Sequence, residues 1–230
     1  MTIERFDSAG AMAKAAADFA AESLARGLST SGQALFVATG GRTAGGVYDQ
    51  LAQAPLDWSR ITVTLTDERW VAVDDPDSNE GLVRSRLLQC EAAKARLIGL
   101  RGKAKTLQDA ADEACIRLEG LAAPDVALVG LGEDGHIASL FPGNPALALG
   151  LDPAAPACIV VPRGTGRPPP QDRLSLSAAW LTRARLILIV INGAAKLRVA
   201  QLALSGTDDS EFPVRSILKR GPGVVILWSA

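Results

Sequence analysis

The 230-residue chain contains a single histidine. It closes the segment Gly130-Leu131-Gly132-Glu133-Asp134-Gly135-His136. Histidine is the side chain that gains and loses a proton near neutral pH without help from its surroundings. A lone histidine is usually a surface residue or a satisfied core residue. His136 instead stands in a glycine-rich loop two residues after a carboxylate, Asp134, which could orient it as a general base. Three further segments carry unusual chemistry. Thr39-Gly40-Gly41-Arg42-Thr43-Ala44-Gly45-Gly46 is made of small residues that let backbone N–H groups approach an anion, with Arg42 and Thr43 as added donors. Thr66-Asp67-Glu68-Arg69 sets acids beside a base. Asn192-Gly193-Ala194-Ala195-Lys196 places a cation in the first turn of an expected helix, where it opposes the helix dipole by a few tenths of a kcal/mol unless an anion binds there.

Several chemistries are disfavoured by residue type. Gly130, Gly132 and Gly135 have the spacing of a dinucleotide fingerprint, but Pro142 and Pro145 interrupt the helix that motif must open, and Glu133 and Asp134 would repel a pyrophosphate. The loop at Gly40 lacks the Gly-Lys-Ser/Thr ending of a P-loop. No Gly-x-Ser-x-Gly elbow supports a Ser-His-Asp triad. One histidine with scattered carboxylates makes a poor metal site. Cys90, Cys115 and Cys158 are odd in number and have no ligand spacing, which points to free thiols in a reducing compartment. With 24 basic and 25 acidic residues the net charge is −1, so no nucleic-acid partner is expected. Arg163, Arg167 and Arg173 nevertheless form a local basic cluster.

The elements that must hold these residues alternate. Helical periodicity covers 8–26, with Asp7 or Ser8 as cap and Gly27 as terminator. Strands are expected at Ala34 to Ala38, Ile61 to Thr66, Asp125 to Val129, Leu186 to Ile191 and Val224 to Trp228. Shorter ones are expected at Cys158 to Val161 and Leu174 to Leu176. Helices fit the segment ending at Leu51 and those at 79–89, 106–121 and 192–204; the stretch 141–170 reads as mostly irregular. This pattern predicts one α/β domain over 1–230 with an open, mostly parallel, Rossmann-like sheet and helices on both faces. All four polar segments follow strands, and in such sheets ligands bind beyond the carboxyl ends of the strands. Met1 to Ala20 lacks an apolar signal core, and the longest aliphatic run, Leu186 to Ile191, is far too short to span a bilayer. A soluble cytoplasmic protein with no membrane partner is expected.

These segments together resemble the 6-phosphogluconolactonase family. The resemblance covers nearly the whole chain. It rests on Gly40-Gly41-Arg42-Thr43, on Thr66-Asp67-Glu68-Arg69 with Asp77-Ser78-Asn79, on Gly130 through Gly143, on Pro168-Pro169-Pro170 with Arg173, and on Gly193-Ala194-Ala195-Lys196. It implies hydrolysis of a sugar-phosphate lactone without metal or cofactor, by a monomer or weak homo-oligomer. His136 would activate water and Arg69 would be the second catalytic residue. Asp134 or Asp67 would orient His136, with Asp67 at the substrate. Gly40, Gly41, Arg42, Thr43, Arg173 and Lys196 would hold the phosphate. The family usually has Ser where Arg42 stands, and Pro where Ala44 stands. The related glucosamine-6-phosphate deaminases follow their Asp-Gly-His with Phe-Asn-Glu-Pro; here Ser139-Leu140-Phe141-Pro142 lacks that carboxylate, which favours the lactonase. Sugar-phosphate-sensing domains of some transcription regulators also resemble this fold. They would need a helix-turn-helix, for which the 230 residues leave no room.

Overall fold

The computed structural model describes residues 2–164 and 169–230. In chain order the elements are β1 (Ile3–Phe6), α1 (Ala9–Ser31), β2 (Ala34–Ala38), α2 (Arg42–Leu51), β3 (Ile61–Leu65), β4 (Asp67–Arg69), α3 (Asn79–Arg86), β5 (Arg96–Ile98), α4 (Leu107–Glu119) and β6 (Val126–Gly130). They continue as α5 (Leu147–Leu151), β7 (Cys158–Val161), β8 (Arg173–Leu176), α6 (Ala178–Leu181), β9 (Leu186–Asn192), α7 (Gly193–Ser205), α8 (Arg215–Leu218) and β10 (Val224–Ser229). Seven strands form one sheet in the order β1-β10-β9-β6-β2-β3-β5. Every pairing in it is parallel. The central strands are near-continuous Ala, Val, Leu and Ile, and β2 is buried at every position. Such strands must be covered on both faces. α1 and α2 pack on each other and on the central strands, and α7 packs on β9 and β10.

β4, β8 and β7 form a second, antiparallel sheet of three strands. The sequence pattern did not reveal β4, which is three residues long and too short to show a period of two. β1, β5, α5, α6 and α8 escaped for the same reason. α1 starts where expected, with Ser8 Oγ accepting from the Ala11 N–H at 3.1 Å. It does not stop at Gly27, however, but at Gly32, which adopts the left-handed conformation with its N–H on the Leu28 carbonyl. Gly27 lies on the buried face, where a Cβ would overlap the Asp125 carboxylate; it is a packing glycine, not a cap. α2 begins inside the glycine-rich segment, so only Gly40 and Gly41 belong to the loop and Gly45 and Gly46 are helical.

Among the described residues no helix is long and apolar enough to cross a membrane.

Candidate active site

Because the main sheet is parallel, the carboxyl ends of β2, β3, β6 and β9 share one edge, and the loops that leave them enclose a cleft of about 190 Å³. β2 contributes Thr39, Gly40 and Gly41. β3 runs into β4 and supplies Asp67 and Arg69. β6 leads to Gly132, His136 and Ala138, and β9 to Lys196. β8 of the small sheet adds Arg173, and α3 adds Asn79.

His136 is aimed by its own loop. Its Nδ1 lies 2.5 Å from Asp134 Oδ1, and its backbone N–H donates to the same oxygen at 3.2 Å. The ring packs on Phe141 with centroids 4.2 Å apart. The loop can fold this tightly because position 132 is glycine: a Cβ there would overlap both the imidazole and the Asp134 carboxylate. Ala138, at the cleft, has φ 48°, a left-handed backbone that non-glycine residues adopt at a cost and that clusters at functional sites. Burial works to raise the Asp134 pKa, but the hydrogen bond and charge of His136 outweigh it and leave the carboxyl below its ordinary value.

Of the two carboxylates that the sequence offered as partners for His136, Asp134 holds the ring. Asp67 is engaged elsewhere. It is buried, accepts from Ser139 Oγ at 2.6 Å and Thr66 Oγ1 at 2.8 Å, and has Arg173 Nη1 at 3.5 Å. Asp67 therefore ties β4, β8 and the segment after His136 into one cleft floor. Burial lowers the Arg173 pKa, with Asp67 opposing that shift and Arg69 adding to it.

Arg69 and Arg173 stand directly opposite each other across the β4–β8 ladder. Like charges in that position are destabilising. Among the described residues that line the cleft, they and Lys196 are three cations against the single carboxylate of Asp67. Its other anion-binding features are backbone groups. Neither α2 nor α7 has a side-chain N-cap bond, so the first N–H groups of both helices lack that partner, and helix N-termini of this kind bind anions. Arg42 and Thr43 do not line the cleft; they line a neighbouring groove with Gly10, Asp49 and Asn192. The Arg163 backbone N–H donates to Asp172, and Arg163 does not line the cleft either. Arg167 and Pro168 lie outside the described residues. No group of three or more His, Cys, Asp or Glu residues with metal-holding geometry occurs among the described residues.

A model of the family described as "Glucosamine-6-phosphate isomerases/6-phosphogluconolactonase" matches residues 7–228. The chain belongs to this family. It is 43% identical over 225 residues to a 6-phosphogluconolactonase of Pseudomonas aeruginosa, covering 94% of this chain and 91% of the relative. The crystal structure of a 6-phosphogluconolactonase from Shewanella baltica superposes with a TM-score of 0.94 at 33% identity, over 100% of this chain and 98% of that one. A monomeric glucosamine-6-phosphate deaminase also superposes, with a TM-score of 0.83 at 21% identity over 100% of this chain and 97% of that one. Fold alone therefore does not separate the two activities named in the glucosamine-6-phosphate isomerase/6-phosphogluconolactonase family, and the side chains of the cleft must.

Thr39 and Asn79, which the sequence offers only as members of longer segments with no role of their own, also line the cleft. Asn79 follows the cap Ser78, and its tertiary contact with Arg69 gives it a place in the site.

Proposed function

We propose that this protein hydrolyses 6-phospho-D-glucono-1,5-lactone to 6-phosphogluconate, a step of the oxidative pentose phosphate pathway, with His136 as general base. The observation that carries this reading is the His136–Asp134 pair at 2.5 Å on the wall of a small cleft rich in cations. With Nδ1–H donating to Asp134, the Nε2 lone pair faces a water molecule. His136 takes a proton from that water as its oxygen bonds to C1, and the carbonyl electrons move to the oxyanion. The oxyanion forms beside the Arg69 guanidinium, which stabilises developing charge in a partly desolvated site. Collapse breaks the bond from C1 to the ring oxygen, which takes the proton from the imidazolium. The new carboxylic acid ionises and releases a proton to solvent. A base in this role contributes about 10²–10⁴-fold.

Lys196, Arg173 and the N–H groups of Gly41, Arg42 and Thr43 bind the phosphate. Arg42 and Thr43 line the neighbouring groove rather than the cleft, so in this reading they reach the phosphate only through the N–H groups that open α2. Binding energy from the phosphate, remote from C1, fixes the carbonyl against His136. The deaminase reading is disfavoured at Phe141. Where that related enzyme carries a glutamate, this chain has a phenyl ring packed against His136 at a tilt of 40°, with the Arg173 guanidinium 5.4 Å from its centre.

The decisive experiment is a coupled assay with freshly made lactone, corrected for spontaneous hydrolysis. His136→Ala should lower kcat by about 10²-fold or more while leaving the fold intact. A folded variant that turns over like the wild type would remove His136 from the base role. Thermal stabilisation by 6-phosphogluconate without turnover would instead mark a sugar-phosphate sensor.

A further inference from the structure

One wall of the cleft is organised by a carboxylate that does not line it. Along β4 side chains alternate, so Asp67 and Arg69 face the cleft while Glu68 faces α3. Glu68 is 2% exposed, and its two oxygens take four donors. Oε1 accepts the N–H of Arg69 at 2.8 Å and of Asn79 at 2.7 Å. Oε2 accepts the N–H of Glu80 at 2.7 Å and the Ser78 hydroxyl at 3.1 Å. Two of these donors are the first N–H groups of α3, which otherwise lack intrahelical partners, and a carboxylate there is favoured by the helix dipole.

These bonds fix Asn79, and Asn79 spans the gap to Arg69. Its Nδ2 donates to the Asp67 carbonyl at 2.7 Å, while its Oδ1 accepts from Arg69 Nη1. The same guanidinium nitrogen donates to the Asp77 carbonyl at 2.9 Å, on the segment that Glu68 anchors. The Asn79 amide fits here only because position 40 is glycine; a Cβ would overlap Oδ1. A free arginine side chain has rotamer entropy to lose on being ordered, and here that ordering is done before substrate arrives.

We propose that Glu68 and Asn79 are positioning residues for Arg69: Glu68 sets the backbone of Asn79, and Asn79 sets the direction of the guanidinium toward the reacting carbonyl. This inference rests on the role given to Arg69 above. It requires a carboxylate at position 68. In Glu68→Gln the amide nitrogen must replace one oxygen and then faces the Glu80 N–H, or the N–H groups of Arg69 and Asn79, donor against donor.

The test is a pair of double-mutant cycles on hydrolysis of freshly made 6-phosphogluconolactone, using Glu68→Gln, Asn79→Ala and Arg69→Ala with each combination. Glu68→Gln and Asn79→Ala should each lower kcat about tenfold or more, since a misplacement of about 1 Å at a reacting group can cost 10²-fold. KM should change much less than kcat. In the Arg69→Ala background neither should lower kcat further, because the group they position is gone. Losses that multiply in that background would overturn the inference and make Glu68 a residue of general stability. If Glu68→Gln does not fold, the Asn79→Ala cycle decides alone. Wild-type turnover in Arg69→Ala would overturn the oxyanion role of Arg69 itself, and the positioning role with it. Impaired Arg69→Ala with multiplying losses overturns only the positioning role.

Discussion

The central pair is two side chains from one short loop, Asp134 and His136, and its chemistry depends on which tautomer the imidazole adopts. In the mechanism proposed above, Asp134 accepts from Nδ1–H and thereby leaves Nε2 as the base. Asp134→Asn removes the charge and permits the wrong tautomer, so kcat should fall by about 10²-fold or more, with the fold retained, as for other oriented histidines. The same pair makes a pH-dependent contribution to stability. His136 holds the folded-state pKa of Asp134 below the ordinary carboxylate value. The contribution is therefore fully present above the unfolded-state pKa and is lost as the pH falls through the depressed one. The Tm difference between wild type and Asp134→Asn should close at pH values below the ordinary carboxylate range. A difference that persists unchanged there would mean that the carboxylate charge is not what stabilises the loop.

The loop after β6 works as a unit because of what it lacks. Gly132 has no Cβ where His136 and Asp134 fold back. Gly132→Ala should leave the sheet intact, since β6 ends before it, but push the two side chains apart. Turnover should drop at least about tenfold, as for a small misplacement of a reacting group, with little change in far-UV circular dichroism. Wild-type turnover in Gly132→Ala would show that the dyad does not need its close approach. β4 and β8 carry a different constraint. Their register sets Arg69 against Arg173, a repulsive arrangement that a bound anion converts to a favourable one.

For the molecule as a whole, the proposed phosphate clamp would join parts far apart in sequence: Arg173 on β8, Lys196 on α7 and the start of α2. Charge-assisted hydrogen bonds contribute about 1.5–3 kcal/mol each. Glucono-lactone without its phosphate loses all of them, and its kcat/KM should be lower by at least about 10²-fold. Lys196→Ala should penalise the phosphorylated lactone strongly and the unphosphorylated one hardly at all. A folding defect would penalise both. If the wild type turns over both lactones alike, the clamp is wrong and the substrate belongs to another class.

Much of this arrangement was legible in the residues alone. Aliphatic runs separated by helical periodicity imply a parallel sheet, and a parallel sheet puts all its strand carboxyl ends on one edge. Finding Gly40, Asp67, His136 and Lys196 just after strands was therefore enough to gather them into one cleft, without knowing the strand order. What stayed hidden depended on contacts between distant segments. The sequence leaves the partner of His136 open between Asp134 and Asp67; the loop folded over Gly132 sets Asp134 on the ring, while Asp67 bonds to Ser139 and Arg173. Gly27 reads locally as a helix terminator, and only the side chain of Asp125 packed against it makes it an interior residue. β4 has no pattern of its own, because three residues cannot display one; its identity as a strand comes from its antiparallel pairing with β8. Glu68 and Asn79 stand in segments that the sequence marks, but their link to Arg69 is hidden for the same reason. Their significance lies in four donors and one guanidinium brought together by tertiary folding, and a hydrogen bond between separate elements leaves no periodic trace in the chain that makes it.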